Sequence, residues 1–177
     1  MKKYLLISGS PRPGNTEYVL RKIYTDLIGK KELLLLRKMK INHCLGCFKC
    51  EKSFSCVQND SMTKIIKRIM AADILIFGAP RYYDNINGLS KNFIDRLLPL
   101  DWQAALKGKK IFMIMTGGGS IKGSEKYLKQ AMSGFIKYLE LKLIGVAAFK
   151  AMDANELKNN KNTDRKIKMI IKKLNQT

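Results

Sequence analysis

Acidic residues are scarce in this chain: 14 Asp and Glu stand against 34 Lys and Arg in 177 residues, a net charge of +20. Long hydrophobic runs are missing too. None approaches the roughly 20 residues that cross a bilayer, so no membrane-spanning helix is expected. The start, Met1-Lys2-Lys3 before apolar residues 4–7, mimics a secretory leader. Its apolar part is too short, and it runs into a small-residue loop instead of a cleavage site, so a cytoplasmic protein is expected. Zinc-finger, RNA-binding and helix-turn-helix signatures are absent, which argues against nucleic acid as the partner of the basic charge. That charge reads first as solvated, lysine-rich helix faces and second as a docking surface for an acidic protein. Histidine occurs once, at His43. Beside Cys44 it can be a ligand or proton donor, though a lone histidine is ordinarily structural.

What is present alternates. Apolar runs at 4–7, 32–36, 74–77, 110–115 and 143–149 read as buried strands. Between them, helical spacing appears over 15–28, with Val19, Leu20, Ile23, Leu27 and Ile28 on one face. It appears again at Met62, Ile65, Ile66, Ile69 and Met70, behind a cap at Asp60 or Ser61. Residues 89–98 and 124–141 read as helices, the latter long and basic, and 161–175 holds a final amphipathic helix. Five strands separated by helices predict an α/β fold with a doubly wound five-stranded parallel sheet, flavodoxin-like in its order 2-1-3-4-5. The whole chain, 1–177, is expected to be one domain with a cysteine-rich insert at 42–60. The tail after Asp153 is polar and lysine-rich, and its last residues are expected to fray.

In such a sheet, ligands sit beyond the C-terminal strand ends at the switch point. Three of the five exits carry unusual residues. The first is Ser8-Gly9-Ser10-Pro11-Arg12-Pro13-Gly14-Asn15-Thr16. A strand-to-helix turn of this kind aims backbone N–H groups and a helix dipole at one spot, which suits an anion. Ser8, Ser10, Asn15 and Thr16 add donors and Arg12 adds charge. Gly9 and Gly14 have Walker spacing, but Asn15 stands where the triphosphate lysine belongs. Pro11 removes the dinucleotide fingerprint G-x-G-x-x-G. A single terminal phosphate, as on FMN, remains. The second exit, 78–88, offers Pro80, Arg81, Tyr82, Tyr83, Asp84, Asn85 and Ile86. Its aromatics can flank a flat ring, and its backbone N–H groups can bond a polar ring edge, although half-buried packing accounts for the tyrosines as well. The third, Thr116-Gly117-Gly118-Gly119, lets backbone approach a ligand closely, or simply turns the chain.

All four cysteines fall in one segment: Cys44, Cys47, Cys50 and Cys56, spaced C-x2-C-x2-C-x5-C. Three thiolates two residues apart can wrap one side of a [4Fe–4S] cubane and the fourth can close it. Gly46 relieves crowding between the first two. The segment follows the second strand, so it emerges at the ligand end of the sheet. Structural zinc usually uses two well-separated pairs, and disulfides do not suit a cytosol. Free thiols are the stronger alternative to the cluster, and structural zinc stays open as the weaker one.

Here the residues resemble a family. Ser8-Gly9-Ser10-Pro11-Arg12 with Asn15-Thr16, then Pro80-x-Tyr82-Tyr83 with Gly88-x-x-Lys91-x-x-Ile94-Asp95-Arg96, look like the NADPH-dependent FMN reductase group of flavodoxin-like proteins. With the cysteine segment between them, they look more narrowly like the iron–sulfur flavoproteins. The resemblance covers about the first 120 residues in order and spacing. It implies bound FMN and a homodimer or homotetramer. It also implies a phosphate held by Ser10, Arg12, Asn15 and Thr16. Pro80, Tyr82, Tyr83, Asp84, Asn85 and Ile86 would line the isoalloxazine, and Thr116, Gly117 and Gly118 would close the site. Asp84-Asn85 departs from the family, which more often has small residues there.

These features predict an FMN-binding oxidoreductase that takes electrons from NAD(P)H or a reduced, acidic ferredoxin. It would pass them to a small-molecule acceptor: a quinone, nitro compound, azo dye or oxygen. No side chain demands the role of acid or base, and Tyr83 and Asp84 are the available proton sources. The alternatives are a non-enzymatic flavodoxin-like electron carrier and a P-loop-like nucleotide-binding protein.

Overall fold

The computed structural model describes residues 1–118 and 123–177. Gly119, the last of the three glycines at the third strand exit, lies outside the described residues. The chain runs β1 (Lys3–Ser8), α1 (Asn15–Asp26), β2 (Lys30–Leu35), α2 (Cys50–Ser53), α3 (Met62–Ala71), β3 (Ile74–Tyr82) and β4 (Asn85–Ile86). It continues through α4 (Gly88–Asp95), α5 (Leu98–Trp102), β5 (Lys110–Gly117), α6 (Ser124–Ala131), α7 (Ser133–Tyr138), β6 (Lys142–Lys150) and α8 (Lys161–Gln176). The parallel strands stand in the order β2-β1-β3-β5-β6. With β4 set aside as a two-residue antiparallel partner of the end of β3, this is the expected order 2-1-3-4-5.

Side-chain alternation divides the core between the two faces of the sheet. Leu5, Ile7, Leu75, Phe77 and Met113 pack against α3, α4 and α6. Tyr4, Leu6, Ile76, Phe112 and Ile114 pack against α1 and α8. Because both faces are covered, the central strands read in sequence as unbroken apolar runs.

Four segments differ from the sequence expectation. The long helix over 124–141 breaks at Met132 (φ −103°, ψ 3°), where Ser133 and Gly134 are poor helix formers. The helix over 89–98 ends at Asp95, and α5 restarts with Pro99 in its first turn. Strand β3 runs five residues past Phe77 and turns back into β4. The two turn residues, Tyr83 (φ 49°) and Asp84 (φ 57°), are both left-handed, as a type I′ hairpin demands. The last residues, expected to fray, are tied to the body of the fold: Ile28 N–H donates to Asn175 Oδ1 at 3.1 Å, Lys2 Nζ donates to Asn175 O at 3.1 Å, and Leu174 is buried.

One ion pair fastens the 42–60 segment to the sheet. Arg96, at the end of α4, is buried, as is the Asp60 side chain. Arg96 Nη1 meets Asp60 Oδ2 at 2.6 Å, and Nη2 meets Oδ1 at 3.1 Å. The same guanidinium donates to Asn42 O at 2.6 Å and to Cys56 Sγ at 3.5 Å. Asp60 in turn accepts the N–H groups of Asn42 and Met62, both at 2.9 Å, and so caps α3. Burial pushes the Asp60 carboxyl upward, but the Arg96 guanidinium and the two N–H donors outweigh it and hold the group below the usual carboxylate value.

A depressed carboxylate stabilises the fold above its unfolded pKa, about 4 for Asp, and loses that contribution as pH falls through the lower folded value. Asp60→Asn leaves the Arg96 charge buried without its counter-ion and is expected to cost about 3–5 kcal/mol. Acid titration followed by the fluorescence of Trp102, the single tryptophan, checks it. The variant should be weaker at neutral pH and lose less stability than wild type on acidification below about pH 4, the remaining loss coming from Glu17.

Candidate functional site: a pocket at the strand exits

The turn after β1 is wound on its own serines. Ser10 Oγ donates to Arg12 O at 2.7 Å and accepts from Arg12 N–H at 3.4 Å. Ser8 lies buried beneath, its Oγ taking the Ser10 N–H at 3.5 Å. Neighbouring elements brace the turn: Gly9 N–H donates to Gly78 O at 2.8 Å, and Asn87 Nδ2 donates to Gly9 O at 2.9 Å. Ser90 Oγ donates to Asn87 Oδ1 at 2.6 Å. Gly9 is required here, because a Cβ on it would sit 1.9 Å from Ser90 Oγ. Asn87 and Ser90 are supports that the sequence reading missed. The signal for them was their place at the start of α4, directly after the second loop.

Helix α1 starts at this turn with no side-chain cap. Its first-turn N–H groups therefore face the pocket as donors. Thr16 Oγ1 lies 2.6 Å from Thr116 Oγ1, which ties the first exit to the third. Glu17, buried one residue on, would repel an anion, but Arg37 (2.7 Å) and Arg21 (2.8 Å) neutralise it. Burial raises the Glu17 carboxyl; the hydrogen bonds from Arg37 and Arg21 prevail and lower it, so it stays charged and paired.

Ser10, Arg12, Asn15, Thr16, Pro80, Arg81, Tyr82, Thr116, Gly117 and Gly118 line one cavity of about 150 Å³. Arg81 braces its wall, with Nη1 donating to Ser124 Oγ at 2.7 Å, Nη2 donating to Gly118 O, and Nε facing Asp84 Oδ1 at 3.4 Å. Ser8 is under the turn and outside the cavity lining. Tyr83 is fully exposed at the hairpin tip, Asp84 is spent on Arg81, and Asn85 Oδ1 accepts the Ile86 N–H at 2.8 Å. Ile86 faces a second groove, of about 580 Å³, which Cys44 and Phe48 also line. The remaining cavity wall comes from Gly14 and from Ala151, Met152 and Ala154, which straddle the start of the tail and which the sequence reading assigned to no site.

The cysteines share a neighbourhood without forming a metal site. Cys44 and Cys47 are exposed, and Cys50 and Cys56 are half-buried. Burial pushes the Cys50 thiol up, the Trp102 indole N–H opposes it, and the Cys56 and Cys44 charges add to the rise. Among the described residues, no three Cys, His, Asp or Glu side chains come together closely enough to hold a metal ion. As placed, the four thiols do not fit a cluster.

The family model for NADPH-dependent FMN reductase matches residues 2–156. The chain belongs to this family. An iron–sulfur flavoprotein of Methanocaldococcus jannaschii is 30% identical over 138 residues, which is 76% of this chain and 72% of that one. An iron–sulfur flavoprotein of Archaeoglobus fulgidus is 36% identical over 97 residues, 53% of this chain and 48% of its own. The chain thus spans about half the length of the Archaeoglobus relatives it matches. In fold, it is similar to a WrbA-like flavodoxin from Agrobacterium tumefaciens, with a TM-score of 0.65 at 15% identity over 99% and 96% of the two chains.

For a member of the FMN reductase family, the pocket fits the phosphate end of the flavin. The uncapped helix start, the Thr16–Thr116 hydroxyl pair and the exposed Arg12 supply neutral and charged donors around one small space, on a turn that Ser10 shapes by donating to Arg12 O. The brace at Gly9 is testable by a double-mutant cycle. Gly9→Ala should cost about 1–3 kcal/mol through overpacking on Ser90. Gly9→Ala with Ser90→Ala should recover part of that loss in urea unfolding, because the clashing oxygen is gone.

Proposed function

We propose that the chain is an FMN-binding oxidoreductase that passes electrons from NAD(P)H or a reduced ferredoxin to a small-molecule acceptor. The observation that carries this reading is the uncapped start of α1 opening into a pocket shared by three strand exits. FMN, when bound, supplies hydride and single-electron chemistry; the chain supplies binding and orientation. First-turn N–H groups, Thr16 and Arg12 would hold the phosphate, with Ser10 joining them only if its hydroxyl leaves Arg12 O. Pro80-Arg81-Tyr82 and Thr116-Gly117-Gly118, side by side at the ends of the paired strands β3 and β5, form one wall along which the rest of the cofactor would leave the pocket. Among the described lining residues there is no carboxylate, histidine or thiol, so no acid or base is assigned. Tyr83 and Asp84 lie on the hairpin outside the cavity and would reach an acceptor only at its open end.

A [4Fe–4S] cluster on Cys44, Cys47, Cys50 and Cys56 is the finer proposal. The spacing and the relatives' names support it, and it requires the exposed Cys44 and Cys47 to fold inward toward Cys50 and Cys56. No electron-transfer step is assigned to it. The apolar groove beside Cys44, with Phe48 and Tyr138 exposed along it, supports a homodimer or homotetramer.

Protein purified without oxygen should show flavin absorption bands, and Arg12→Ala should weaken FMN binding about 10- to 100-fold, the loss of one charge-assisted hydrogen bond. A colourless chain that quenches no added FMN fluorescence overturns the function. Stopped-flow mixing with NADPH separates the enzyme, whose flavin bleaches rapidly, from an electron carrier, whose flavin does not. Iron analysis of the same sample should give about four irons per chain; an iron-free protein with four titratable thiols removes the cluster.

A further inference from the structure

Helix α4 and the two residues that flank it hold four buried polar side chains: Asn87, Ser90, Asn92 and Arg96. Asn87 stands in the capping position, where an asparagine ordinarily accepts an N–H from the first turn of its own helix. Here it makes no such bond. Its Nδ2 donates instead to Gly9 O in the phosphate turn at 2.9 Å, and its Oδ1 takes the Ser90 hydroxyl at 2.6 Å. Asn92 and Arg96, one helical turn apart on one face, reach the other way. Asn92 Nδ2 donates to Ile41 O at 3.1 Å. Arg96 donates to Asn42 O at 2.6 Å and to Cys56 Sγ at 3.5 Å. The base of the cysteine segment is closed beside them, because Ser61 N–H donates to Lys40 O at 3.0 Å and Ser61 Oγ accepts the Lys40 N–H at 3.1 Å. The start of α4 is therefore bonded to the phosphate turn and its end to the cysteine segment. Between them the helix is fixed by Phe93, buried and stacked on Phe77 of β3 with ring centroids 5.9 Å apart.

We propose that α4 couples the two: an anion bound in the phosphate turn holds residues 42–60 in the arrangement described and so shields Cys56. This rests on the phosphate reading above and extends it to a segment none of whose described residues lines that pocket. Two states of the segment are involved. In one, Cys56 lies on Arg96; in the other, a local opening, the bonds to Asn92 and Arg96 are released. An anion that orders the turn fixes the Gly9 peptide, and Gly9 O is the acceptor for Asn87. Asn87 then holds the start of α4, and Asn92 and Arg96 carry that restraint to Ile41, Asn42 and Cys56. The anion thus favours the closed segment, and by linkage an opened segment binds the anion more weakly by the same factor. Asn87 and Asn92 act here as positioning residues, one at each end of the helix.

Alkylation of the full chain, freed of flavin and metal, by iodoacetamide tests this when it is read cysteine by cysteine by mass spectrometry. Inorganic phosphate is the first probe, because it is too small to cover the thiols directly. At saturation it should slow modification of Cys56 by about fivefold or more and leave the exposed Cys44 and Cys47 within about twofold. FMN should do the same to Cys56. Asn92→Ala removes the bond to Ile41 at a position that does not line the pocket. Its phosphate affinity should stay within about threefold of wild type, while the protection of Cys56 falls below about twofold. Asn87→Ala cuts the link at the other end; it should also lose the protection at saturating phosphate, and it carries the test if Asn92→Ala does not fold. Where FMN binds and phosphate does not, the same comparison is made with FMN, and loss of protection in the variants is again the supporting result. A ligand that binds by equilibrium dialysis without slowing Cys56 overturns the coupling alone. Protection undiminished in both variants reports global stabilisation and overturns it as well. Binding of neither phosphate nor FMN overturns the phosphate reading and the coupling with it.

Discussion

A parallel sheet with helices on both faces has only its two ends left for loops. That constraint organises this molecule. The apolar strands β1, β3 and β5 are buried on both sides, so their polar connections must meet at the edge where the strands end. The first-exit turn, the hairpin at 81–86 and the residues after β5 therefore converge although they are some 30 to 100 residues apart in sequence. Convergence alone would leave them loose. Cross-bonds between exits fix them: Gly9 on Gly78, Asn87 on Gly9, Thr16 beside Thr116, Arg81 on Gly118 and Ser124. Each bond joins two different exits or an exit to a helix start, so the pocket wall is a network with few independent parts.

The scarcity of acids has a structural counterpart. With 14 carboxylates against 34 bases, several of the acids sit where a cation is buried or a loop needs an acceptor. Asp60 compensates the buried Arg96, Glu17 pairs Arg37 and Arg21, and Glu156 accepts the Met152 and Asp153 N–H groups. The Asp60–Arg96 pair has a further reach, since the same guanidinium bonds Asn42 and Cys56 and thereby sets the path of the whole cysteine segment from α4. A buried pair of this kind contributes more to fixing one arrangement than to net stability, because desolvation offsets much of its attraction.

Sequence carried the strands, their order and the three loaded exits, because doubly covered strands appear as apolar runs and phosphate turns as clusters of small polar residues. It did not carry the hairpin, because Tyr83-Asp84 lacks the Asn-Gly signature that normally marks two left-handed residues. It did not carry the break at Met132, where the apolar spacing continues across a backbone that does not. The segment after β6, which Asn15 holds at Asp153 O and at the Leu157 N–H, was invisible for a different reason. It has no periodicity, and its form comes from side chains, Asn15 above all, bonding to backbone far away in sequence. The cysteine spacing was plain in the sequence, whereas the distance between the thiols depends on the 42–60 path, which Arg96, just after α4, and Gln103 tie to the body of the fold.

Charge then cannot be what chooses the ligand. A chain at +20 draws every anion toward its surface, and at physiological salt this attraction is screened beyond about 8 Å, so it sets arrival and not identity. Among the described lining residues the cations are two, Arg12 and Arg81, and Arg81 is committed to the wall by Ser124, Gly118 and Asp84. On the FMN reading, most of the donors around the phosphate are neutral: helix N–H groups and the one hydroxyl of the Thr16–Thr116 pair left free to donate, since Ser10 Oγ already donates to Arg12 O. Neutral donors at fixed positions discriminate by shape, since a phosphate displaced by an ångström loses several of them together. On that reading recognition depends on rigidity, and rigidity on the bonds that cross from exit to exit and from Asn15 to the chain that passes over it.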